Sequence, residues 1–126
     1  MNAASRTHAP RLTLPAIRRM RRPAEFKRAY ANGKRYTNEF FTANAQANDL
    51  TWARLGMSIA ARILRRAVDR NRVRRLIRES FRMHQQQLPP LDIVIGARAA
   101  TGSADRAQLR AALESLWRKI ASSCAI

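Results

Sequence analysis

The sequence predicts an α+β fold, a single-domain α/β sandwich in the order α-β-β-α-β-α, with room for a short extra N-terminal strand. Three observations predict it. Residues 67–84 and 103–120 repeat their apolar side chains at the period of a helix. DIVIGARA (92–99) is a β-branched run suited to a buried strand. Residues 36–46 and 51–61 read as strands on either side of the turn pair Asn48-Asp49. Helices with one apolar stripe each, interspersed with strands, bury those stripes by packing on a sheet.

The elements follow in order. Residues 1–22 hold Pro10, Pro15 and many arginines with little periodicity, so 1–17 reads as a flexible basic arm. The folded domain is then 18–121, and 122–126 is a tail. Pro23 suits the first position of a helix that carries Glu25, Phe26, Ala29 and Tyr30 at helical spacing. Asn32-Gly33 predicts a left-handed stop. In YTNEFFTANAQ (36–46), Phe41 and Ala43 alternate with Thr42 and Asn44. TWARLGMSIAA (51–61) is the second strand, and a hairpin is the economical way to join the two. The long basic helix runs from about Ala67 to His84, and Pro89-Pro90 stops it. After the 92–99 strand, the last helix carries Leu109, Leu113, Leu116, Trp117 and Ile120 on one face, with Ser103 as candidate N-cap.

Charge narrows the function. The 126 residues carry 25 Lys and Arg against 8 Asp and Glu, a formal +17. Such a chain repels itself and invites a polyanion. Only Lys27, Lys34 and Lys119 are lysines; the rest are arginines, whose planar fork suits phosphates and stacking on bases. No stretch approaches about 18 consecutive apolar residues, so no membrane partner is expected. Arg18, Arg19, Arg21 and Arg22 follow no apolar segment of a secretory signal. Cys124 is a lone thiol, which fits a reducing compartment and makes the cytoplasm the expected location.

From DRNRVRRLIRESFR (69–82) on to His84, the residues Leu76, Ile77, Ser80, Phe81 and His84 fall within about 80 degrees of Val73 at 100 degrees per residue. Asn71, Arg75, Arg78 and Arg82 gather at the opposite pole. Arg70 and Arg74 flank one side, Arg72 and Glu79 the other. Arg75 and Glu79 are placed to pair at i,i+4. Arg70, Arg74, Arg78 and Arg82 repel one another at the same spacing, an arrangement that a merely solvated helix avoids. This is a helix built for phosphates, and its periodicity leaves DNA and RNA both open.

The run RLGMSIAARILRRAVDRNRVRRLIRESFR (54–82) resembles the signature of the bacterial ribonuclease P protein subunit. Gly56-Met57-Ser58-Ile59 resembles that family's GLxVxKK strand. Arg70-Asn71-Arg72 matches its RNR motif, and Arg74 through Arg82 its KRLxRExFR run. Arg19 to Arg22 with Glu25, Phe26 and Tyr30 resemble its basic start and first helix. Leu88-Pro89-Pro90 with Asp92-Ile93-Val94 resembles its LPxxDxVVxA strand. The resemblance covers roughly 18–120. Ala61-Arg62 stand where the family has paired lysines, and Asn44 where an aromatic is usual.

The resemblance implies a left-handed β-α-β crossover and a protein that assists a catalytic RNA. That RNA uses Mg2+ to remove the 5′ leader of precursor tRNA. It implies RNA-subunit contacts at Arg65, Arg66, Arg70, Asn71, Arg72, Arg74, Arg75, Arg78 and Arg82, in a 1:1 complex with a monomeric protein. The leader would lie in a cleft between the first helix and the sheet. Candidates there are Phe26 and Tyr30 for stacking, Thr42, Asn44 and Ser58 for hydrogen bonds, and Arg62 for a phosphate. Core packing is the competing reading for both aromatics. No catalytic or metal-ligating residue is expected in the protein: Glu25, Glu39, Asp49 and Asp92 show no two-metal spacing, and His8 and His84 form no acid–base motif. The alternatives are a ribosomal-type or RNA-chaperone protein without a processing role, and a DNA-binding helix protein.

Overall fold

The computed structural model describes Pro15 and residues 18–124. Apart from Pro15, the expected basic arm at 1–17 lies outside the described residues. The elements are α1 (Pro23–Asn32), β1 (Lys34–Thr37), β2 (Phe41–Ala47), β3 (Arg54–Ser58), α2 (Ala67–His84), β4 (Leu91–Ala97) and α3 (Arg106–Cys124). The short extra strand is β1, and it follows the first helix.

The four strands form one mixed sheet in the order β1-β2-β4-β3. This corrects the expected hairpin. β2 pairs antiparallel with β1 and β4, while β3 lies beyond β4 and parallel to it, joined to it through α2. The reason is burial. Ile93, Val94 and Ile95 are at most 1% exposed, so β4 needs a layer on each face and a strand on each side. The hairpin that does form is β1–β2. Asn38 turns it, its Oδ1 accepting from the Phe40 and Phe41 N–H groups at 3.0 and 2.9 Å. The outer edge of β3 is covered where Arg19 bridges Leu55, and the Met20 N–H donates to the Leu55 carbonyl at 2.8 Å.

One face of the sheet carries the main core. Phe41, Ala43, Leu55, Ile93 and Ile95 pack there against Val73, Ile77 and Phe81 of α2 and Leu109, Leu113, Leu116 and Trp117 of α3. Trp117 Nε1 donates to Ser80 Oγ at 2.8 Å, and its ring meets Phe81 edge-on at 5.8 Å. His84 belongs to this arrangement, its Nδ1 2.8 Å from the Ser80 carbonyl oxygen. Burial of Val73, Leu76, Ile77 and Phe81 contributes roughly 1.5–3 kcal/mol each, against a few tenths for each like-charge pair on the far side. Packing therefore holds the arginine helix together.

Three helix ends differ from expectation. Gly33 is extended at φ −80°, ψ 159°, and no described residue has positive φ. Glycine is required there by closeness: a Cβ would lie 2.4 Å from the Ala29 carbonyl oxygen and 2.9 Å from that of Ala45. Ser103 closes a 3-10 turn instead of capping α3. Asp105 caps it, accepting from the Gln108 N–H at 2.8 Å while the Gln108 side chain accepts from the Asp105 N–H at 3.0 Å. α3 also runs three residues past the boundary expected for the tail. No helix among the described residues is long and apolar enough to cross a membrane.

Candidate nucleic-acid interface

The other face of the sheet is crossed by α1, and the strand register divides it into three rows. The first is Gln46–Asp92–Arg54, the second Asn44–Val94–Gly56, the third Thr42–Gly96–Ser58. Each row has a different role.

The first row ties α1 down. Arg54 Nε and Nη2 donate to the Asp92 carboxylate at 2.8 and 2.7 Å, and its Nη1 donates to Glu25 Oε2 at 2.8 Å. Asn48 Nδ2 also donates to Asp92, at 3.0 Å. Glu25 Oε1 accepts the Arg21 and Arg22 N–H groups at 2.9 and 3.0 Å, capping the start of α1. The Asp92 hydrogen bonds raise the Arg54 pKa further, outweighing burial, with Glu25 adding to the effect. Two of the eight acids are thus consumed by one arginine, which sequence reading did not single out.

The second row is the packed one. Ala29 and Val94 are buried with Met20, and Phe26 packs half-buried beside them. A Cβ at Gly56 would stand 2.8 Å from the Phe26 ring, so glycine lets the ring lie on the strand. Asn44 sits in this row at 5% exposure, which withdraws its carboxamide from any strand passing over the sheet. Alternation put Asn44 on the correct face; α1, placed by the Arg54 ties, covers it.

The third row is open. Ser58 is exposed and Thr42 half-exposed, on either side of Gly96, where a Cβ would stand 2.7 Å from Thr42 Oγ1. Tyr30, one turn beyond Phe26, is 49% exposed, and Arg62 is exposed past the end of β3. Of the aromatic pair, Phe26 is half-buried against the strand and Tyr30 faces water.

Across the molecule, α2 does not present a uniform comb. Arg70 Nη1 donates to the carbonyls of Leu64 and Arg65 at 2.7 and 2.9 Å. Arg72 Nη2 donates to the Ala104 carbonyl at 3.1 Å, and Arg74 Nη1 to Asn71 Oδ1 at 3.2 Å. Asn71 and Arg75 are exposed, whereas Arg78 and Arg82 are half-buried. The expected Arg75–Glu79 pair is absent. Among the described residues, the ion pairs are those of Arg54 and a 3.9 Å contact of Arg66 with Asp69. Arg65 and Arg66 stand exposed just before the helix.

The basic face divides along its two edges. On the β3 side, Arg74 and Arg78 meet Arg19 and Phe26 around a groove of about 160 Å³ floored by Met20, Leu55, Gly56 and Met57. Burial, then repulsion from Arg19, Arg74 and Arg75, lowers the Arg78 pKa, with Glu79 opposing. The two surfaces that sequence treats as separate, cleft and arginine helix, thus share a wall. Arg19 is the residue missed; its only sequence signal is membership of the basic run before Pro23. Among the described residues no three His, Cys, Asp or Glu side chains come together.

A family model described as Ribonuclease P matches residues 14–121. The ribonuclease P protein component of Thioalkalivibrio sulfidiphilus is 40% identical over 111 residues, spanning 88% of this chain and 92% of that protein. That of Methylococcus capsulatus is 38% identical over 110 residues, 87% of this chain and 86% of that one. The solved structure of Staphylococcus aureus RNase P protein superposes with a TM-score of 0.76 at 31% identity, covering 82% of this chain and 94% of that one.

Proposed function

The chain belongs to the ribonuclease P protein family, and from that premise we propose how its two faces divide the work. The arginine helix binds the RNA subunit through backbone phosphates, and the α1 face of the sheet receives the 5′ leader of precursor tRNA. Arg65, Arg66, Asn71, Arg72, Arg74, Arg75, Arg78 and Arg82 serve the first role. Arg70 adds charge there while holding the 64–65 loop to the helix. Phe26, Tyr30, Thr42, Ser58 and Arg62 serve the second. Catalysis, with the Mg2+ it needs, lies in the RNA, and the protein's contribution is recognition in a 1:1 cytoplasmic complex.

The observation that carries this reading is the third row of the sheet, where Ser58 is exposed and Thr42 half-exposed on either side of Gly96, on the face that α1 crosses with Tyr30 exposed to solvent. Hydroxyls and aromatic faces accept any base, which suits a leader whose sequence differs between substrates. The test is cleavage of precursor tRNA by the cognate RNA subunit at low magnesium, with and without this protein. Strong stimulation is expected. Binding to the RNA without stimulation would leave a structured-RNA binder with no processing role.

A further inference from the structure

The second edge of α2 faces α3. Arg72 and Arg75 meet Arg106, on the first turn of α3, around a groove of about 370 Å³ that Leu76 and Glu79 also line. Three features make it more than a crowd of surface arginines. The guanidinium of Arg72 is anchored by its bond to the Ala104 carbonyl, two residues before Arg106. Asp105, the acid nearest to Arg106 in sequence, is engaged in capping α3. None of the three arginines has a carboxylate within ion-pair distance among the described residues. Three like charges converging from two helices repel one another until an anion sits between them.

We infer that Arg72, Arg75 and Arg106 form a two-helix site for one backbone phosphodiester of RNA, so that the RNA footprint extends from α2 onto α3. The inference rests on the proposed role of α2 and adds Arg106, which neither the motif nor the periodicity singles out. The groove also shows where the footprint stops. Beyond Glu79 it continues into a second hollow of about 330 Å³ lined by Glu79, Glu114 and Arg110 with Met83 and His84, where two carboxylates outnumber the single arginine and the surplus of positive charge ends.

The experiment measures affinity for the cognate RNA subunit, and for an unrelated RNA duplex, across a salt series with the full-length protein. Arg106→Gln should bind the RNA subunit about ten-fold more weakly, with the log–log salt slope reduced by about one. Arg35→Gln, an exposed arginine of β1, removes the same net charge and should cost no more than about two-fold. Arg75→Gln with Arg106→Gln should cost less than the product of the single effects, because both hold one phosphate. Arg106 is exposed, so unchanged melting of its variant is expected and checks the fold. The inference is overturned if Arg106→Gln behaves like Arg35→Gln, or if the double variant is strictly multiplicative. Failure of the underlying reading looks different: the wild type would bind the two RNAs equally, and the Arg106 effect would be read on the duplex.

Discussion

Replacing Arg54 by methionine tests the first row of the sheet most directly. Its side chain, Glu25 and Asp92 are 19%, 17% and 6% exposed, and its guanidinium makes three charge-assisted bonds between them. Methionine keeps much of the stem's packing and removes the charge. Asp92 is then left with Asn48 as its remaining side-chain donor, and stranding a buried carboxylate costs about 3–5 kcal/mol. At about 4 °C per kcal/mol for a domain of this size, the melting temperature should fall by roughly 12–20 °C. Adding Asp92→Asn in the same chain removes the stranded charge and should return at least about 1 kcal/mol. Urea unfolding followed by circular dichroism measures both. A loss below about 1 kcal/mol, or no recovery in the double variant, would refute the view that these ties hold α1 on the sheet.

Four further outcomes are expected. Burial alone raises the Glu25 pKa, but the Arg22 and Arg21 N–H bonds and then Arg54 bring it below the ordinary glutamate value. Its stabilising contribution is therefore present above the unfolded pKa and lost as pH falls through the folded one; the stability gap between wild type and Glu25→Gln should close in acid. Tyr30→Ala, at an exposed site, should change stability by no more than about 0.5 kcal/mol while weakening precursor tRNA by about 1–3 kcal/mol and leaving mature tRNA unaffected; equal loss for both would argue against a leader contact. Gly56→Ala should cost about 1–3 kcal/mol in urea unfolding, because the Phe26 ring must move off the strand. Arg70→Ala with Arg74→Ala should weaken assembly with the RNA subunit and flatten its salt dependence by up to about two units, read in filter binding.

Much of α2 was legible before any fold was known. Val73, Leu76, Ile77, Ser80 and Phe81 are its buried residues, as the 100-degree step predicts, because a helix's stripe depends only on local geometry. The same holds for Pro23 at the start of α1 and for Phe41 and Ala43 facing the core. What failed was long-range. Strand order depends on which strand needs burial on both sides, so β4 displaced the expected hairpin.

The cleft shows the same division at the level of single residues. Alternation placed Thr42, Asn44 and Ser58 on the face away from the main core, but could not say that α1 would stop short of Thr42 and cover Asn44. That depends on Arg54 reaching both Glu25 and Asp92, contacts across 29 and 38 positions of sequence. Likewise, sequence counted the arginines of α2 but not their neighbours, Arg19 on one edge and Arg106 on the other.

The amino-acid sequence by itself determined a polyanion-binding α+β protein, its helix faces and its family resemblance, since composition, period and motif are local properties. Only the tertiary structure decided which strand is central, which polar residues stay wet, and which arginines converge. Those depend on chain segments far apart in sequence meeting across a packed sheet, and no window of residues contains both partners.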